Sequence, residues 1–191
     1  MKIFNIVLRS ALFIGFAFTC SSLSCDLFDE VDDVTFDVQI EHVFVIDENF
    51  DSNGEPVTYL DSDIIDPTQN DEFNKYKDKI TELTINEITY TVTDYDPSTP
   101  GVLFSNGMGS FSASAGGSSA FASAALGFQD IQGSQGGSFS LDFSTSDLQQ
   151  IAQQMKDLQS VTFQVSGTFS ETPVAFKVPV VMHCTIKADA L

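Results

Sequence analysis

The chain has 191 residues, of which 27 are acidic and only 8 are Lys or Arg, for a formal net charge of −19. A balance of that size and sign repels nucleic acid and anionic headgroups, which excludes a nucleic-acid partner. The length suffices for one core without cross-links, and two His, three Cys and no Trp leave few side chains with tunable proton affinity for catalysis.

Residues 1–24 have the layout of a secretory signal: Lys2 and Arg9 lead, an apolar run from Ala11 to Phe18 follows, and a polar segment ends at Ser24. The apolar run is too short to span a bilayer. Leu23, Ser24 and Cys25 resemble the end of a lipobox, in which the cysteine is diacylated and becomes the first residue of the mature chain. The leucine sits one step later than in the usual motif, and Cys20, close to the apolar run, is a weaker alternative. An ordinary signal peptidase cutting before Cys25 would yield the same chain without lipid. The resemblance implies an exported protein held at the outer membrane through acyl chains on Cys25. Removing residues 1–24 deletes two cations, the sole arginine among them, and no acid, so the negative balance deepens. Residues 25–33, CDLFDEVDD, then read as an acidic tether.

From Val34 to Ile46 apolar and polar residues alternate, which predicts a strand with one face on a core and one in water. Asp47 to Asp71, rich in Asp, Asn, Gly and Pro with a turn signal at Asn53-Gly54, predicts a long acidic loop. A short helix is expected near 71–79, its acids leading and its lysines trailing. Ile80 to Tyr95 predicts a strand whose apolar phase slips by one residue, a bulge near Asn86 and Glu87. Ser105 to Ser146, rich in Gly, Ser, Ala and recurrent Phe, predicts two or three glycine-punctuated strands. Ser146 to Leu158 carries an apolar stripe at helical spacing, with Ser146 and Gln149 as its capping box. Val161–Phe169 and Val174–Ala188 alternate as strands, joined at Glu171-Thr172-Pro173 as a hairpin, and Pro179 places the second at an edge or turns its nitrogen outward.

These elements predict a mainly β fold, an antiparallel β-sandwich with one amphipathic helix at about 146–158 and a short helix near 71–79, making residues 34–191 a single domain. A lipobox, an acidic tether and a Phe-rich β-domain together are similar to the uncharacterised single-domain lipoproteins of Gram-negative outer membranes. That resemblance is one of pattern and carries over no functional residue beyond Cys25.

No catalytic constellation stands out. His42 falls on the apolar face of the first strand, as a hydrogen-bonded core or rim histidine; Cys184 shares parity with Phe176, Val180, Met182 and Ile186, as a buried small hydrophobe. His183 faces the other way, without a second soft ligand at zinc spacing. Asn49, Asp51, Asn53 and Gly54 imitate the opening of an EF-hand loop, but the twelfth position from Asn49 is Leu60 where a bidentate Glu is needed. A calcium loop of another kind, built from Asp47, Asn49, Asp51, Asn53 and Glu55 and helped by Asp61, Asp63 and Asp66, stays open beside a plain solvated acidic loop. The expected function is a non-enzymatic, lipid-anchored accessory or binding module of the cell envelope, with another envelope protein as partner. Carriage of an apolar ligand between the sheets or under the helix, and calcium-dependent adhesion, are the alternatives.

Overall fold

A computed structural model describes residues 33–96, 100–112 and 120–189. The signal segment, Cys25 and all of the tether except Asp33 lie outside the described residues. Eight strands, β1 (Asp33–Glu48), β2 (Val57–Ile65), β3 (Ile80–Thr91), β4 (Phe104–Ser112), β5 (Ala122–Ala125), β6 (Ser138–Ser140), β7 (Val161–Phe169) and β8 (Val174–Asp189), are joined by helices α1 (Asp71–Tyr76) and α2 (Thr145–Leu158). They form two antiparallel four-stranded sheets, ordered β1-β8-β3-β6 and β2-β7-β4-β5. The fold is therefore the expected β-sandwich, called here sheet A and sheet B in that order.

Alternation dictates which side chains fill the gap between the sheets. Val38, Ile40, Phe44 and Ile46 of β1 are buried, while Asp37, Gln39, Glu41, Val43 and Val45 between them face solvent. Phe44 of sheet A meets Phe163 of sheet B edge-on at 6.2 Å, and Phe176 meets Phe169 at 6.2 Å. Phenylalanine dominates this core, with Phe73, Phe104, Phe111, Phe128, Phe163, Phe169 and Phe176 among its fully buried side chains. Such rings bury large apolar areas and favour tilted and edge-on pairs. Gly109 of β4 gives them room: a β-carbon there would lie 3.0 Å from Phe163 Cζ.

Several expectations are corrected. The segment from Asp47 to Asp71 is not one loop: β1 runs on through Glu48, β2 occupies Val57–Ile65, and a 3-10 turn follows at Pro67–Gln69. Tyr59 and Ile65, buried on the inner side, draw this acid-rich stretch into the sheet, so tertiary packing overrides local polarity. α1 stops at Tyr76, short of residue 79, and is capped by the Asn70 side chain, which accepts from the Phe73 amide at 3.0 Å. α2 begins at Thr145, and its capping box is Ser144 with Asp147 instead of Ser146 with Gln149. Ser144 has the extended backbone an N-cap needs, whereas Ser146 already lies in the first turn.

The largest correction concerns the last two strands. β7 belongs to sheet B and β8 to sheet A, so Glu171-Thr172-Pro173 makes an arch between sheets and not a hairpin. Both strands are apolar on the core-facing side, and an arch lets each bury that side from opposite directions. β8 is not an edge strand either, since β1 and β3 flank it. Its proline is accommodated by an interruption: the β3–β8 ladder ends at Tyr90↔Val180 and is taken up again at Thr93↔Lys177, with Pro179 between. The bulge of β3 falls where expected, between Ile85 and Glu87, and a second lies between Ile80 and Glu82.

Candidate functional site

β1 and β8 run side by side over 16 residues each, from Asp33↔Asp189 at one end to Glu48↔Val174 at the other. The far end therefore carries two arches, 49–56 from sheet A to sheet B and 170–173 from sheet B to sheet A. They are tied together: the Ser52 amide donates to the Thr172 carbonyl at 3.2 Å, and the Thr172 amide donates to Ser52 Oγ at 3.1 Å. Around them stand Phe50 and Leu103, which are 51% and 50% exposed, with Asp51, Glu55, Asp94 and Glu171. Leu103 is pinned by Ser170 through two hydrogen bonds, its amide donating to Ser170 Oγ at 3.0 Å and its carbonyl accepting from the Ser170 amide at 2.8 Å. This end thus offers apolar anchors in an acidic rim, on a backbone held by reciprocal hydrogen bonds.

The five residues expected to hold calcium are partly dispersed. Asp47 lies on the exposed face of β1, while Asn49, Asp51, Asn53 and Glu55 are exposed along the first arch. One oxygen of Asp51 accepts the Asn53 amide at 2.8 Å, closing the turn in which Asn53 and Gly54 take positive φ of 55° and 80°. Of the acids expected to help, Asp61 and Asp63 belong to β2, and Asp66 caps the 3-10 turn, accepting from the Thr68 amide and hydroxyl at 2.9 and 2.6 Å. Those hydrogen bonds, the Thr68 hydroxyl first, hold the Asp66 carboxyl below its ordinary pKa. Among the described residues, no three His, Cys, Asp or Glu side chains come together as a metal-holding group.

His42 is half-buried at the margin between the sheets, with Nε2 3.0 Å from Asp63 Oδ2 of β2. It is the hydrogen-bonded rim residue expected of it, and it links the edge strands of both sheets. Cys184 is buried between β1 and β3, and burial pushes its thiol up to about 12, so it stays protonated and is no nucleophile.

Sequence reasoning did not anticipate an open polar groove of about 660 Å³ on the outer side of sheet A, beside α1. Asn86 Nδ2 donates to Thr185 Oγ1 at 2.9 Å, and Thr185 Oγ1 donates to Asp37 Oδ1 at 2.7 Å. His183 sits beyond them, its ring nitrogens 3.5 Å from Gln39 Nε2 and Thr89 Oγ1. Asn70 closes one side by donating to the Gln39 carbonyl at 3.0 Å. Such a groove presents hydrogen-bonding groups to a polar ligand or peptide, with no activated nucleophile beside them. The outward parity of Asp37, Gln39 and His183 is visible in the sequence; the register that joins them to one another and to Asn86 across three strands is not. A smaller cavity of about 290 Å³ lies between α2 and β3, lined by Leu83, Ile85, Leu148 and Ala152 but also by Glu82 and Lys156. No helix among the described residues is long and apolar enough to cross a membrane. No family model matches the chain, and no curated protein is similar to it beyond chance.

Proposed function

We propose that the protein is a non-enzymatic accessory module of the cell envelope, anchored by lipid on Cys25 and engaging another envelope protein through its distal arches. The observation that carries this reading is the separation of its two ends. The tether enters at Asp33, and the paired arches stand at the other end of a 16-residue strand, about 50 Å away at the usual rise per residue. An anchor at one end and a braced rim bearing Phe50 and Leu103 at the other suit a domain that presents a surface away from a membrane. The test has two arms. Cys25→Ser releases the protein from membranes while Cys20→Ser leaves it bound, and equal retention of both variants would refute the anchor. With the anchor intact, Phe50→Asp and Leu103→Asp abolish recovery of a defined stoichiometric partner from detergent-solubilised membranes; unchanged recovery would refute the arch surface.

Carriage of an apolar ligand has less support, because the Phe side chains between the sheets pack on one another and the cavity under α2 is small and partly charged. Native mass spectrometry of protein from its own host separates the two readings. A bound lipid would favour the carrier.

A further inference from the structure

The two outer faces of the sandwich differ in kind. Sheet A projects Asp37, Glu41, Asp47, Lys177, Glu82 and Glu87 into solvent. On sheet B, among the described residues, no outward-facing side chain is charged. The register lays them out in rows: Thr58, Thr168 and Ser105; Leu60, Ser166, Met108 and Ala125; Ser62, Gln164, Ser110 and Ser123; Ile64, Thr162 and Ser112, of which Ser110 and Thr162 are already buried by their neighbours and the rest stay open in part or in full. The two acids within β2, Asp61 and Asp63, share parity with buried Tyr59 and Ile65 and so turn away from this face. Leu60 and Ile64, 65% and 48% exposed, form its margin.

We infer that the outer face of sheet B is where a second copy of this chain docks, face to face across a two-fold axis. Charge decides the occupant. Two copies of a chain with formal charge −19 repel wherever their acids meet, and this sheet face brings them together without placing carboxylate against carboxylate. Small side chains let the sheets approach closely, and Leu60 and Ile64 supply apolar area that one copy alone leaves in water. The face sits at the lower limit of size for a specific interface: strands of nine, nine, nine and four residues cover roughly 500 Å² per copy, so a pair buries at most about 1,000 Å². A neutral hydroxyl-rich polysaccharide fits less well, because no aromatic side chain projects from this face to stack on a sugar ring.

Sedimentation equilibrium of the exported chain carrying Cys25→Ser, from micromolar to 0.5 mM, tests the inference. A reversible monomer–dimer equilibrium is expected, and it tightens between low salt and about 0.5 M sodium chloride as the net repulsion is screened. Gln164→Glu with Ser166→Glu, which sets four carboxylates at the centre of the pair, weakens dimerisation at least about 100-fold. Glu41→Gln on sheet A does not weaken it, and unchanged circular dichroism and melting show that the doubly substituted chain folds. A monomer at 0.5 mM in high salt would overturn the inference, as would a dimer indifferent to Gln164→Glu with Ser166→Glu. Retention of a monomer on neutral polysaccharide, lost in the same double variant, would overturn it in favour of a glycan.

Discussion

Gly167, on the inner side of β7 opposite Tyr59, lies directly against the ring of Phe104. A β-carbon there would come within 2.6 Å of Phe104 Cε2 and 2.9 Å of Cε1, with Cζ nearer still, where ordinary contact begins at about 3.4 Å. The ring cannot move aside: it is fully buried, stacked on Phe128 at 5.5 Å and tilted against Phe169 at 4.8 Å. Gly167→Ala should therefore cost about 3 kcal/mol, the upper end of overpacking penalties, and lower the melting temperature by about 6–12 °C. Gly127→Ala is the control, because its nearest neighbours are Phe139 Cδ1 at 3.5 Å and Tyr90 Oη at 3.6 Å, and its cost should stay below about 1 kcal/mol. Urea denaturation followed by circular dichroism measures both. Phe104→Leu in the Gly167→Ala background should recover part of the loss, seen as favourable coupling in a double-mutant cycle. A Gly167→Ala variant within about 1 kcal/mol of the parent would refute this packing of Phe104.

Cys184→Ser should lower stability by about 1–3 kcal/mol through burial of a hydroxyl, and a thiol reagent should label Cys184 rapidly only in denaturant; fast labelling of the folded chain would contradict its burial. The raised thiol also sets a pH dependence. The unfolded chain loses the Cys184 proton near the ordinary value of 9.0 and the folded chain only near 12, so stability is full below about pH 9 and falls by up to about 1.4 kcal/mol per pH unit between the two. Tyr59, Tyr90 and Tyr95, all raised chiefly by burial, extend the same fall at higher pH, and Cys184→Ala should flatten its first part in urea titrations at stepped pH. A calcium ion held by Asp47, Asn49, Asp51, Asn53 and Glu55 requires the melting temperature to rise with calcium beyond matched sodium chloride, with Asp51→Ala removing the excess. Equal responses to the two salts would assign the effect to screening of the acidic surface.

Strands with strict alternation were plain in the sequence, because burial on one side of a pleat leaves a mark at every second residue; β1 and its half-buried His42 are the clearest case. The slip of phase at Asn86 was equally readable as a bulge. β2 was missed because only Val57, Tyr59 and Ile65 on its inner side are apolar, with Asp61 and Asp63 between them at the open margin of the sandwich. The partner of each strand was unreadable, since an arch and a hairpin ask for similar turn residues at Thr172-Pro173. For the same reason the polar groove beside α1 could not be assembled, as Asp37, Asn86 and Thr185 come from three strands whose register only the fold defines.

The order of strands also bears on how the chain comes to be folded. Of neighbours along the chain, only β4 and β5 pair; β1 waits for β8, and Asp33 meets Asp189, almost the whole domain later. β8 stands between β1 and β3, so sheet A lacks the strand that joins them until the end of the chain is available. Pairings of such long sequence separation are slow to form. A chain that emerges N-terminus first would thus carry its first strand unpaired until β8 appears, and completion of sheet A would wait for the last strand of the domain. Loss of residues 174–191 would remove the centre of a sheet and not its fringe, leaving β1 with no neighbour to bond.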